Sequence, residues 1–282
     1  MTILVLGGTG RVGSATIDTL LAAGESVRTI SRSAERLAAL PSGVEGIVAD
    51  LDDPESLKPA FAGVTAVLLS LLVHPDERAR GHNALRAAVD AGVRKVVHIS
   101  VKHYPGSDGK LFYAAKQAIE KELLELPLTH VIVRPANFHQ SDSGMKAMIA
   151  EQGIYPPPVG SVGIDRIDSR DVGYAAAQAL ITNAFDGQDV DLYGPERFTG
   201  ESVAAVYERL LGRPVKYLGD DIDVWESYNA ARLPQWYRSA LRSLYVQQQR
   251  YGMARPDGEP QHPLLPKTLR TFESYAKELF GR

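Results

Sequence analysis

Short apolar runs alternate with amphipathic stretches through the first 135 residues, and that rhythm predicts alternating strands and helices. Ile3–Leu6 reads as a strand, and Val12–Ala23 as a helix whose Val12, Ile17, Leu20 and Leu21 recur at near-helical spacing until Gly24 closes it. Further strands are expected at Ser26–Ile30, Val44–Val48, Val64–Leu69, Lys95–Ile99 and Thr129–Val133. Helices are expected up to Leu40, from Asp53-Pro54 to Phe61, over Asp76–Ala91 and over Leu111–Leu124. Pro54 suits a first helical position, and Val64–Leu69 is almost wholly apolar, as in a strand buried on both faces. Alternation at this spacing predicts an α/β protein with a doubly wound parallel sheet, helices on both faces and right-handed crossovers.

After Arg134-Pro135 the rhythm becomes irregular, and Tyr155-Pro156-Pro157-Pro158-Val159-Gly160 breaks the chain. A helix is expected at Ser169–Leu180, a strand at Asp189–Tyr193, a helix at Thr199–Leu211 and another at Lys267–Leu279. Residues from about Asp220 to Arg250 carry helical aromatic spacing, interrupted or kinked at Pro234. The aromatics from Trp225 onward either roof a planar substrate or pack the smaller region. We therefore divide the chain into a nucleotide-binding domain, 1–135, and a smaller, mainly helical substrate-binding region, 136–282, with 160–195 partly returning to the first core.

Composition narrows the function. The 282 residues are 44% hydrophobic, enough for a full core, and the formal net charge of −3 offers no basic field for nucleic acid. The absence of cysteine removes disulfides, thiolate zinc sites and cysteine nucleophiles. No apolar run is long enough to span a membrane, and the opening apolar run is too short for a signal peptide, so a cytoplasmic protein is expected. The seven histidines show no metal-ligand spacing, and neither a G-x-S-x-G elbow nor a Gly-Lys-Ser/Thr phosphate loop occurs. No metal is expected.

The glycine turn Gly7-Gly8-Thr9-Gly10-Arg11-Val12-Gly13 joins the first strand to the first helix. Gly7 permits a tight turn, Gly10 lets the backbone approach a pyrophosphate, and Gly13 lets the helix pack closely on the strand. The helix N-terminus adds unpaired N–H groups and positive potential, so Gly7 to Gly13, with Thr9, Arg11 and Val12, form the expected pyrophosphate site of a Rossmann-type fold. Arg32 ends the second strand, where an acid would accept bonds from ribose hydroxyls and an arginine instead attracts a 2′-phosphate. That favours NADP(H) over NAD(H). Asp50 and Leu51, ending the third strand, are expected at the adenine edge, and Leu69 and Ser70, ending the fourth, along the channel beneath the cofactor.

These pieces, with Val97-His98-Ile99-Ser100, Phe112-Tyr113-Ala114-Ala115-Lys116, Glu120, Val133-Arg134-Pro135-Ala136-Asn137-Phe138, Ile167-Asp168-Ser169-Arg170-Asp171-Val172 and Tyr193-Gly194-Pro195-Glu196, resemble the NmrA-like group of atypical short-chain dehydrogenase/reductases. The resemblance runs to about Gly219 and resumes near Leu264. It implies either an NAD(P)H-dependent reductase of quinones, dyes or enones, or a regulator that senses the nucleotide and acts through a protein partner. It implies a ribose-binding or general-base Lys116, a catalytic Ser100, and Pro135, Asn137 and Phe138 beside the nicotinamide, with His139 near the same space. The usual dehydrogenase helix carries Tyr-x-x-x-Lys, but here Phe112 stands four before Lys116. Tyr113 is left as proton donor or packing residue, and His103, with Lys102 and Tyr104, as a polar cluster at the pocket mouth or a wet loop. A small-molecule substrate and a monomer or homodimer are expected.

Overall fold

The computed structural model describes residues 1–282. Seven strands form one parallel sheet: β1 (Thr2–Leu6), β2 (Ser26–Ser31), β3 (Val44–Val48), β4 (Ala66–Ser70), β5 (Lys95–Ile99), β6 (Thr129–Pro135) and β9 (Gln188–Leu192). Their order is β3-β2-β1-β4-β5-β6-β9, so the chain reverses direction across the sheet between β1 and β4. A ligand crevice opens at such a reversal, outside the carboxyl ends of the strands.

Alternation along each strand splits the core into two faces. Ile3, Val5, Val97 and Val131 face α1 (Arg11–Ala22) and α6 (Ser169–Ile181), whereas Leu4, Leu6, Val67 and Ile132 face the side of α3 (Pro54–Phe61), α4 (Glu77–Asp90) and α5 (Leu111–Glu125). α2 (Ala34–Ala38) covers the edge at β3 and is shorter than the helix expected through Leu40. Helices α1 and α6 cross with almost nothing between them: a Cβ on Gly173 would lie 2.5 Å from the Ala15 Cβ. Thr16 donates its hydroxyl to the Gly173 carbonyl at 3.2 Å, satisfying a buried polar group at that crossing.

The second half is continuous with this core. Tyr155, Ile164, Tyr207, Leu244 and Phe272 belong to the same buried cluster as Ile3 and Val5. Four short strands, β7 (Ile154–Tyr155), β8 (Ile164–Arg166), β10 (Glu196–Phe198) and β11 (Lys216–Tyr217), pair as β10-β8 and β11-β7. α7 (Gly200–Leu211) begins on a capping box between Thr199 and Ser202. The helical stretch expected to be interrupted or kinked at Pro234 is interrupted, giving α8 (Ile222–Tyr228) and α9 (Gln235–Tyr251) with Pro234 at the N-cap of the second. The terminal helix α10 (Phe272–Phe280) starts five residues later than Lys267, where the Thr271 hydroxyl caps it. No helix is long and apolar enough to cross a membrane.

Candidate functional site

The glycine turn is built by exclusion. Gly7 has φ +85°, and a Cβ there would meet the Ser70 carbonyl oxygen at 2.4 Å. Gly13 faces the Gly7 carbonyl oxygen at a would-be Cβ distance of 2.1 Å, so α1 rests directly on the turn. The Gly10 N–H closes the turn on the Gly7 carbonyl at 2.8 Å. α1 then starts with no side-chain cap and no acid in its first turn, leaving its terminal N–H groups for an anion. Thr9 is exposed at the tip, and Val12 is buried behind it. Arg11 reaches across the crevice and donates to the Gln140 carbonyl at 2.6 Å, tying the turn to the second half.

Arg32 projects into solvent at the end of β2, with its side chain 71% exposed and the Asp50 carboxylate 4.0 Å away. Asp50 also accepts the Asp52 N–H at 3.0 Å, while Leu51 is held through its carbonyl by Asn83 at 2.8 Å. Leu69 is buried in β4 and Ser70 lies half-buried against Gly7. A glycine cradle and an uncapped helix end fit the pyrophosphate of a dinucleotide.

The α5 helix turns Lys116, Glu120 and Tyr113 inward. Lys116 is buried, with Nζ 2.7 Å from Glu77 Oε1 and 3.3 Å from the Leu71 carbonyl. Glu120 accepts the Ser100 hydroxyl and two Arg134 nitrogens, Nε at 3.1 Å and Nη2 at 2.6 Å, and lies 3.2 Å from His103 Nε2. Burial pushes the Glu120 carboxyl up, but the bonds from His103, Arg134 and Ser100 outweigh it and hold the group at about 2. Tyr113 is fully buried, edge-on to Tyr104 and Phe112, and its hydroxyl has no partner; burial pushes the phenol well up.

Of the pocket-mouth residues, only His103 remains beside this knot. Lys102 donates to Asp191 and Tyr193, and Tyr104 stacks on Tyr251 at 5.8 Å between ring centres. Pro135 ends β6 in the core, and Asn137 and Phe138 follow half-buried. Their backbone is clamped by the Ile167 N–H on the Asn137 carbonyl at 2.9 Å and by Arg166 Nη2 on the Phe138 carbonyl at 2.9 Å. His139 does not share their space. It turns into the core, where Nε2 donates to the Arg166 carbonyl at 3.0 Å and the ring packs on Phe272.

Two further parts had no sequence signal. Glu77 is buried though it stands among exposed residues at a helix start. Arg166 and Asp142 form a buried pair at 2.8 and 2.9 Å, joined by the Tyr207 hydroxyl at 2.7 Å, and this pair anchors the Phe138 carbonyl. In the aromatic stretch that starts at Trp225, Trp236 at the start of α9 packs edge-on to His74 in the β4–α4 loop at 5.8 Å.

The sheet order and the glycine turn at its reversal define a Rossmann-type α/β protein. A family model described as the NmrA-like family matches residues 1–276, and the chain belongs to that family. It is 28% identical to an NAD(P)H azoreductase of Xenophilus azovorans, covering 98% of this chain and 96% of that protein. It is 30% identical to a (4-alkanoyl-5-oxo-2,5-dihydrofuran-3-yl)methyl phosphate reductase of Streptomyces griseus, covering 82% of each. Its fold matches an NADPH-dependent quinone oxidoreductase of Escherichia coli solved with NADPH, at a TM-score of 0.86, 21% identity and 99% coverage of both chains.

Proposed function

We propose that this protein is an NADPH-preferring reductase of small conjugated electrophiles such as quinones, azo dyes or enones. One observation carries the choice of acceptor. The position four before Lys116 is Phe112, and the neighbouring Tyr113 hydroxyl is sealed in the core. No phenol meets the site as a dedicated acid, which suits acceptors whose reduced oxygen or nitrogen takes its proton from solvent. The relatives support the same class, since their names concern an azo compound, an unsaturated furanone and a quinone.

When bound, the reduced nicotinamide supplies a hydride to the acceptor, and a proton completes the two-electron reduction. Gly7, Gly10 and Gly13, with Thr9, Arg11 and Val12, hold the pyrophosphate. Arg32 takes the 2′-phosphate, Asp50 and Leu51 bound the adenine, and Leu69 and Ser70 line the channel. Lys116 grips the nicotinamide ribose, and Pro135, Asn137 and Phe138 set the ring's position. Ser100 and His103 stand at the acceptor end, where the Glu120 carboxylate accepts the Ser100 hydroxyl and lies 3.2 Å from His103 Nε2. Tyr113 fixes the floor beneath α5.

The test is absorbance loss from NADPH, then NADH, across a panel of quinones, azo and triarylmethane dyes and enones. Acceptor-dependent oxidation that prefers NADPH and disappears in Lys116→Ala supports the reading. Tight nucleotide binding without turnover on any acceptor overturns it in favour of a nucleotide-sensing regulator.

A further inference from the structure

Glu77 is the only acid in the first turn of α4, and it is 1% exposed while its neighbours Asp76 and Arg78 face solvent. Its Oε1 lies 2.7 Å from Lys116 Nζ on the adjacent helix, and the lysine side chain keeps only 7% of its exposure. The same ammonium donates to the Leu71 carbonyl at 3.3 Å. Leu71 directly follows Ser70, so the carbonyl that anchors Nζ is the next along the chain after the one that faces Gly7.

Such a pair is an expensive way to join two helices. Desolvating both charges costs about as much as their attraction returns, and two apolar side chains of similar volume hold helices as well or better. Here the pair sits at the carboxyl ends of the strands, where the crevice opens. His98 from β5 feels the Lys116 charge, and it also feels Glu120 from α5 and Arg134 from β6. Burial, and then the Lys116 charge, push the His98 imidazole down to about 3, so His98 stays neutral and sets no like charge near Lys116. Its Nδ1 donates to the Leu69 carbonyl at 3.1 Å.

We propose that Glu77 is a positioning residue for the nucleotide: it keeps Lys116 charged and fixed in reach of the ribose. This rests on the function proposed above. Glu77→Gln keeps the shape and an acceptor oxygen but leaves a desolvated ammonium without its counter-charge, and such a group sheds its proton more readily. A purely structural role lowers stability without changing how nucleotide affinity varies with pH.

The experiment is a fluorescence titration of NADPH, without acceptor, from about pH 6 to about pH 9.5. Wild-type affinity should vary little over the alkaline half of that range. Glu77→Gln should match wild type within about threefold at the acid end and lose about tenfold or more at the alkaline end. A loss equal at every pH, or none, overturns the proposal. Should Glu77→Gln fail to fold, Glu77→Leu/Lys116→Met removes both charges together. Its NADPH affinity should equal that of Lys116→Met, because Glu77 acts only through Lys116; an additional loss beyond Lys116→Met overturns the proposal. Wild-type protein that binds no NADPH at any pH defeats the functional reading itself.

Discussion

Gly13 lies so close to Gly7 that a Cβ on Gly13 would stand 2.1 Å from the Gly7 carbonyl oxygen. The obstructing atom is backbone, so it cannot rotate away. Gly13→Ala should therefore lift α1 from the turn, costing about 1–3 kcal/mol of stability and lowering Tm by about 5 °C. Calorimetry checks the first effect. Nucleotide affinity, falling by more than the stability loss explains, checks the second.

Arg32 is the exposed cation at the end of β2. Arg32→Ala should raise the KM for NADPH by roughly 10- to 100-fold and that for NADH by less than about threefold, the size of a lost charge-assisted phosphate bond. Paired KM measurements settle the point, and an equal effect on both nucleotides would remove the 2′-phosphate assignment.

His98 carries a pH dependence whose sign is fixed by burial. The unfolded chain takes up a proton at this residue below the ordinary value of 6.5, whereas the folded chain resists until about 3. The stability present above 6.5 is therefore lost as pH falls, by about 2 kcal/mol between pH 6.5 and pH 5. His98→Asn keeps a donor for Leu69 and should flatten that slope, as read by urea unfolding at several pH values.

Glu120 adds a second acid-sensitive contribution. Its folded value of about 2 lies below the ordinary 4.5, so it stabilises above pH 4.5 and that share disappears as pH falls towards 2. Glu120→Gln should cost about 3 kcal/mol at neutral pH, with the gap to wild type narrowing in acid. Unfolding curves at pH 7 and pH 3 would expose any constant gap, which would contradict the assignment.

The first half of the fold is legible in the sequence because its signals are local. Asp53 caps the helix that Pro54 opens, and the expected strands Lys95–Ile99 and Val44–Val48 coincide with β5 and β3. The strands β7, β8, β10 and β11 are two or three residues long, too short for a period to register. Lys267 to Thr271 looked helical by spacing, but Leu264 and Leu265 are buried in an irregular stretch and the helix waits for the Thr271 cap. At the site, Lys116, Ser100 and Glu120 stand out in the sequence, yet which side chains pair there does not. Glu77 lies 39 residues from Lys116 and Glu120 lies 20 from Ser100, so only packing of α4, α5 and β5 brings each pair together. His139 misled for a similar reason. It adjoins Phe138, but its ring is buried on Phe272 and bonds the Arg166 carbonyl.

Trp236 meets His74 on an arm that originates far along the chain and ends over the β4–α4 loop. In the function proposed above, the glycine turn that holds the nucleotide and the α8–α9 arm beside the acceptor lie in separate stretches of sequence. Substitutions in the arm can therefore reshape the entrance while every glycine of the turn stays in place.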